Sequence, residues 1–270
     1  MPLSRTLVDG TIAVVTMDYP PVNALPVAAW FELAASLEEI GPDVRVVVLR
    51  AEGRGFNAGV DIKEMQRTAG FDALLGANKG CYAAFKAVYE CPVPVIGAVH
   101  GFCLGGGIGL AGNCDSLVAS DDAYFGVPEI DRGALGAATH LARLVPQHLM
   151  RTLYFTSRTI PATALVQHGS VLETVPRAQL DDTAIGLARE IAAKDPRVIR
   201  AAKEALNGID PIDVHRSYRF EQGFTFELNL AGVADERRDA FLRDSAGDSA
   251  GDTANNATNN AAPADGTAPR

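Results

Sequence analysis

The sequence predicts an α/β fold with an all-helical C-terminal part, and three observations carry that prediction. VRVVVLRA (44–51) and PVIGAV (94–99) are continuous, β-branched apolar runs, the pattern of strands buried on both faces. Segments with apolar residues at helical spacing alternate with them. From Ala178 to Arg243 the pattern reads as helices alone, interrupted at Pro196 and near Pro211.

Taken in order, residues 7 to 17 (LVDGTIAVVTM) predict an edge hairpin strand, broken by PPVNALP. WFELAASLEEI predicts a helix before the strand 44–51, and AEGRGFNAGVD is a glycine-punctuated loop after it. FDALLGANKGCYAAFKAVYE predicts a long amphipathic helix ended by CPVP. After the strand 94–99 come the glycine-rich HGFCLGGGIGLAGNCD, a short strand SLVAS and the turn-rich AYFGVPEIDRG. THLARLVPQHLMRTLYFTSRTIPATALVQHG is helical in pieces, and VLETV (171–175) predicts a last strand.

With 270 residues, 47% of them hydrophobic, the chain can bury one sizeable core. No window of 18 apolar residues predicts a membrane span, and MPLSRTLVDG lacks the apolar core of a signal peptide. The net charge of −9, without a basic run, argues against nucleic acid as a partner. Cys81, Cys91, Cys103 and Cys114 show neither CxxC nor zinc spacing, so they read as buried thiols of a reduced, cytoplasmic protein with no metal site. Residues 244–270 turn to Ala, Asn, Gly, Asp and Thr and predict a disordered acidic tail. Three regions follow: a core over 1–195, a helical region over 196–243 and the tail.

Gly107, Gly109 and Gly112 spell GxGxxG, but the strand ends near Val99. The intervening HGFCLGG displaces these glycines from the strand-to-helix turn that a pyrophosphate needs. The reading that fits better is an oxyanion hole, in which glycines before a helix free backbone N–H groups for a developing negative oxygen. The loop GRGFNAGVD is the natural source of a second donor.

AEGRGFNAGVDIKEM, PVIGAVHGFCLGGGIGLAGNCD and FGVPEI, in this order, resemble the crotonase (enoyl-CoA hydratase/isomerase) superfamily from about Leu7 to Leu242. The resemblance implies a spiral of ββα units, a helical C-terminal trimerisation region, a homotrimer or dimer of trimers, an acyl-CoA substrate and no cofactor beyond its CoA moiety. It places the hole donors on the N–H groups of Val60 and Gly106, and CoA contacts along Ala58, Val60, Asp61 and Ile62, with Lys63 facing a phosphate. YPPVNAL lacks the basic residue that relatives carry before Asn-Ala.

Hydratases of the family use two glutamates. The second matches Glu129, while the first falls on Gly109. Single-acid members isomerise, decarboxylate or cleave carbon–carbon bonds. NAGVDIKEMQ, RGALGAATHLARLVPQHLM and EQGFTFELNLAGVADERRDAF further resemble an actinobacterial branch of steroid catabolism that hydrolytically opens a ring of a bicyclic β-diketone CoA thioester. On that reading Glu129 is the general base or proton shuttle, Asp131 and His140 are candidate polar neighbours, and Gly109 leaves room for a bulky ring. Enoyl-CoA hydration or isomerisation, and non-catalytic binding of CoA or RNA, stay open as alternatives.

Bland roles compete with each sharp one. Asp131 can pair with Arg132 at the surface, Asp115 anchors structure, and His100 reads as a hydrogen-bonded core histidine. The amide of Asn57 is a candidate to face substrate. Tyr218, Phe220, Phe224 and Phe226 read as core or subunit packing, and the resemblance makes Phe241 a candidate to reach a neighbouring subunit's CoA.

Overall fold

The computed structural model of the chain describes residues 2–68 and 70–243. Asp9 and Gly10, at φ of 52° and 71°, reverse the chain between β1 (Leu3–Val8) and β2 (Ile12–Met17). Thr11 N–H closes that turn on the Val8 carbonyl at 3.2 Å. Residues 7–17 therefore span the turn and the whole of the second arm, with β1 on the edge and β2 wholly buried.

The chain continues through α1 (Val27–Glu38), β3 (Val46–Ala51), α2 (Ile62–Arg67), α3 (Asp72–Tyr89), β4 (Val95–Val99), β5 (Phe102–Leu104) and α4 (Gly106–Ala111). Next come β6 (Ser116–Ser120), β7 (Tyr124–Gly126), a five-residue 3-10 helix over Pro128–Arg132, α5 (Ala138–Leu141), α6 (Gln147–Thr156), β8 (Thr159–Pro161) and α7 (Ala162–Gln167). β9 (Glu173–Val175), α8 (Leu180–Ala192), α9 (Pro196–Gly208), α10 (Val214–Leu230) and a helical stretch over 233–243 complete it. The predicted acidic tail, 244–270, lies outside the described residues.

A six-stranded sheet has the order β1-β2-β3-β4-β6-β9, parallel except for the β1–β2 pair. A second layer holds β5-β7-β8, extended by single parallel bridges from Asn57 to Cys103 and from Leu25 to Val60. The early passes of the chain each lay a strand in the large sheet and then a shorter extended piece in the second layer. The pieces at 25, 57–60, 102–104, 124–126 and 159–161 stack in chain order, which is the spiral of ββα units.

One face of the large sheet packs on α1 and α3 through Trp30, Leu33, Leu49 and Phe85. Its other face (Ile12, Val14, Val46, Val48, Ile96, Ala98, Val118) packs on Leu180, Ala184, Ala188 and Ala192 of α8. Burial on both faces is why these strands are apolar without alternation. All four cysteines are buried and unpaired.

The C-terminal helices dock on the core. Lys203 of α9, its side chain 4% exposed, holds both oxygens of Asp115 at 2.8 Å, and Asp115 also accepts from Val95 N–H at 2.8 Å. Lys203→Met strands that carboxylate and is expected to lower stability by roughly 2 kcal/mol, read from chemical denaturation, with CoA-thioester affinity unchanged. Among the described residues no helix is long and apolar enough to cross a membrane.

Candidate active site

Three neighbouring turns of the spiral bring the segments 57–60, 104–106 and 126–129 side by side. Asn57 fixes the first from within. Its buried amide donates to Asn23 O at 2.7 Å, and its Oδ1 accepts Gly59 N–H at 2.8 Å. Asn57 is thus a loop-shaping residue and does not face the cleft. Leu25 then pairs with the extended strip beyond, accepting Asp61 N–H at 3.0 Å and donating to Gly59 O at 2.9 Å. Alternate groups of an extended strip face opposite ways, so Val60 N–H is turned away from Leu25 and has no acceptor among the described residues.

Gly105, at φ 56° and ψ −113°, turns the second segment into α4. Its carbonyl accepts Ile108 N–H at 2.9 Å, which leaves Gly106 N–H as an orphan of the first helical turn. A Cβ on Gly106 would lie 2.7 Å from the Trp30 ring, and one on Gly59 would lie 3.2 Å from Gly106 N. Bare backbone is what lets the two donor loops touch. The intervening β5 also removes the GxGxxG glycines from the end of β4, so they do not form a dinucleotide turn.

The third segment carries Glu129 on the 3-10 helix. Its carboxyl lies against Gly105, where an added Cβ would sit 2.1 Å from Oε1. Oε2 is buried and has no hydrogen-bond partner among the described residues. Burial pushes the carboxyl up to about 8, partly offset by the Arg132 charge.

Val60, Gly106 and Glu129 line one cleft of about 810 Å³, part of it open to solvent, and Glu129 is the only acid on its described walls. α2 and α3 supply Ile62, Met65, Leu74, Ala77, Cys81 and Phe85, while Arg132 and residues 134–137 close the far side with Tyr218, Thr225 and Arg238. Residues 135–139 are pinned from behind. Thr225 and Tyr154 hydroxyls accept from Leu135 and Gly136 N–H, and Glu221 accepts from Ala138 N–H at 2.8 Å and Thr139 N–H at 3.2 Å.

Residues 8–222 match the sequence profile described as enoyl-CoA hydratase/isomerase. The chain belongs to the enoyl-CoA hydratase/isomerase family. A solved enoyl-CoA hydratase/isomerase of Xanthobacter autotrophicus superposes with a TM-score of 0.80 at 28% identity, over 90% of this chain and 92% of its own. Two curated relatives bear the name (7aS)-7a-methyl-1,5-dioxo-2,3,5,6,7,7a-hexahydro-1H-indene-carboxyl-CoA hydrolase. The Mycobacterium tuberculosis protein is 67% identical over 91% of this chain and all of its own length. That of Rhodococcus jostii is 68% identical over 88% and 93%.

The enoyl-CoA hydratase/isomerase family acts on CoA thioesters, and the predicted residues divide by place. Ala58, Val60, Ile62, Gly106 and Glu129 share the cleft. Asp61 caps α2, accepting Lys63 N–H at 2.8 Å, and Lys63 is exposed just outside the cleft walls. Asp131 is exposed and is not on the cleft wall, and it forms no ion pair with Arg132 among the described residues. The 3-10 period of three puts 129 and 132 on one side and 131 on another.

His140 lies outside the cleft, packed edge-on and tilted against Phe85 and Tyr218 with ring centroids at 4.9 and 5.0 Å. It faces a separate small cavity, and both ring nitrogens are buried without a partner among the described residues. Burial drives its pKa down to about 3, so the ring is neutral.

Gly109 offers no space. A Cβ there would meet Phe85 Cζ at 2.1 Å, so the Phe85 ring fills the space that any side chain at this position would need. Sequence reading passed over Phe85, whose α3 approaches α4 only in three dimensions. His100 is a core residue, its Nε2 lying 3.2 Å from Gly53 O.

Gly105→Ala is expected to lower stability by roughly 3 kcal/mol, from its left-handed φ and the collision with Oε1. Thermal unfolding reads the first effect, and a matching fall in turnover reads the displaced carboxyl.

Proposed function

We propose that this protein is a CoA-thioester hydrolase that opens a carbocyclic ring of a bicyclic diketone, a late fragment of steroid degradation. The observation that carries this reading is a single acid, its Oε2 unpartnered among the described residues, lining one mostly apolar cleft together with two unpaired backbone N–H groups. The two relatives at 67% and 68% identity, named as hydrolases of an indene-type diketone CoA thioester, support the same substrate class.

The chemistry is a retro-Claisen hydrolysis. Glu129, ionised, takes a proton from water as its oxygen adds to the ring ketone. The bond from that carbonyl carbon to the neighbouring ring carbon breaks. Its electron pair delocalises toward the thioester oxygen, which Val60 and Gly106 N–H hold, an effect of roughly 3 kcal/mol per donor. Glu129 then returns the proton to carbon, and the former ketone leaves as a carboxylic acid. One carboxyl suffices, because it is first base and then acid. The reaction draws on no cofactor beyond the substrate's own CoA moiety.

Incubation with a bicyclic β-diketone acyl-CoA should yield a product heavier by one water, with the thioester intact. Unchanged diketone beside fast hydration of crotonyl-CoA would return the protein to the hydratases. We further assign it to the cytoplasm as a homotrimer or a pair of trimers. Phe220 and Leu230 of α10, each 72% exposed, and Ile209 at 76% support a buried subunit face. Light scattering of the purified chain at one protomer mass would refute that assembly.

A further inference from the structure

Among the described residues, Arg132 is the cation of the cleft that no hydrogen bond or ion pair holds. Its Nε is buried without a hydrogen-bond partner, and the guanidinium enters none of the ion pairs between described residues. Arg238, on the same walls, is committed instead to Gln66 Oε1 at 3.1 Å, Asn229 Oδ1 at 2.9 Å and Asp235. The guanidinium carbon of Arg132 lies over the Phe241 ring, 4.4 Å from its centroid, a contact that holds the group in place without using any of its donors.

Glu129 lies three residues earlier on the same 3-10 helix and lines the same cleft, yet its Oε2 is unpartnered too. Two groups of opposite charge character therefore flank one space without pairing across it. An unpaired guanidinium is costly where water is scarce, and burial already weakens its hold on the proton. A planar fork with free donors is the shape that a carboxylate fits in two hydrogen bonds.

We infer that Arg132 is the receptor for the carboxylate that ring opening creates. The inference rests on the ring-opening reading above. In that reaction water oxygen adds to the ketone carbon, the ring C–C bond breaks, its electron pair is protonated at carbon, and the new carboxylic acid loses its proton to solvent. The anion therefore forms at the atom that Glu129 has just helped to hydrate, beside Arg132. Arg132 meets the same oxygens earlier, as the tetrahedral adduct gathers negative charge. A hydratase acting on a linear enoyl chain has no such anion to receive.

The test compares two CoA thioesters by calorimetry on the full chain, the ring-opened product and its primary carboxamide, which differ only in the charge at the new group. The parent protein should bind the carboxylate about ten- to a hundredfold more tightly than the amide. Arg132→Met should bring that ratio close to one while amide affinity stays within about twofold. Arg132→Lys keeps the charge but loses the fork, and should retain only part of the preference. If Arg132→Met fails to fold, a severalfold fall of the ratio in Arg132→Lys carries the test. A parent ratio near one, or an undiminished ratio in the variants, overturns the assignment. A parent that adds no water to the bicyclic thioester defeats the ring-opening reading itself, whereas turnover without carboxylate preference defeats only the role of Arg132.

Discussion

Glu129→Gln is expected to lower ring opening by roughly 10³-fold or more while leaving CoA-thioester binding in place, because the cleft has no second acid on its described walls. The parent kcat/KM should rise with pH and level off above about 8, where the free carboxyl becomes the base that water needs. Stability should move the opposite way. The carboxyl is held above its ordinary range in the folded state, so the folded chain binds a proton that the unfolded chain has released. Stability therefore falls from the ordinary carboxyl range up to about pH 8. An amide cannot titrate there, so Glu129→Gln should remove that loss and melt above the parent at pH 8 and close to it at pH 4. A variant that is both active and no more stable at pH 8 would contradict the burial of this acid.

Gly109→Glu, which supplies the glutamate that the resemblance to hydratases assigns to this position, is expected to destabilise by roughly 3 kcal/mol or more, since its Cβ would enter the Phe85 ring. Phe85→Ala alone should cost roughly 3 to 4 kcal/mol through the cavity left beside Trp30, His140 and Tyr218. The two together should cost less than their sum by about 1 kcal/mol or more, because each supplies the space or the volume that the other lacks. The double variant should also hydrate crotonyl-CoA faster than the parent. Denaturation midpoints for the four proteins, with one hydration assay, decide both claims.

The hole was legible because its parts are local. A glycine turn before a short helix and an extended loop beside it place their N–H groups whatever side chains surround them, and the resemblance carried by three short motifs assigned Val60, Gly106 and Glu129 to one site, where they share the cleft. The strands 46–51 and 95–99 were legible for a similar reason, since burial on both faces marks every residue. What stayed hidden needed tertiary contact or an uncommon period. β5, β7 and β8 have three residues each, too few to show alternation. Phe85 reaches Gly109 across two helices that are distant in sequence. Asp131 looked like a neighbour of Glu129 because it is near in sequence, but a 3-10 turn directs Arg132, not Asp131, to the same side. His140 looked available because nothing in GAATH shows that Phe85 and Tyr218 enclose it.

On the ring-opening reading both donors of the hole are main-chain groups, and that decides how this site can be altered. Exchanging side chains at Val60 changes shape and leaves the donor, so a systematic alanine survey would score the thioester-polarising machinery as dispensable. On that reading, the capacity to stabilise an enolate belongs to the path of this chain through the spiral. On the same ring-opening reading, discrimination between one reaction and another falls to a few positions around that path, here 85, 109, 129 and 132. Retargeting this scaffold is accordingly a problem of small combinatorial scope, in which four sites can be randomised together without touching the element that makes the carbon acid reactive.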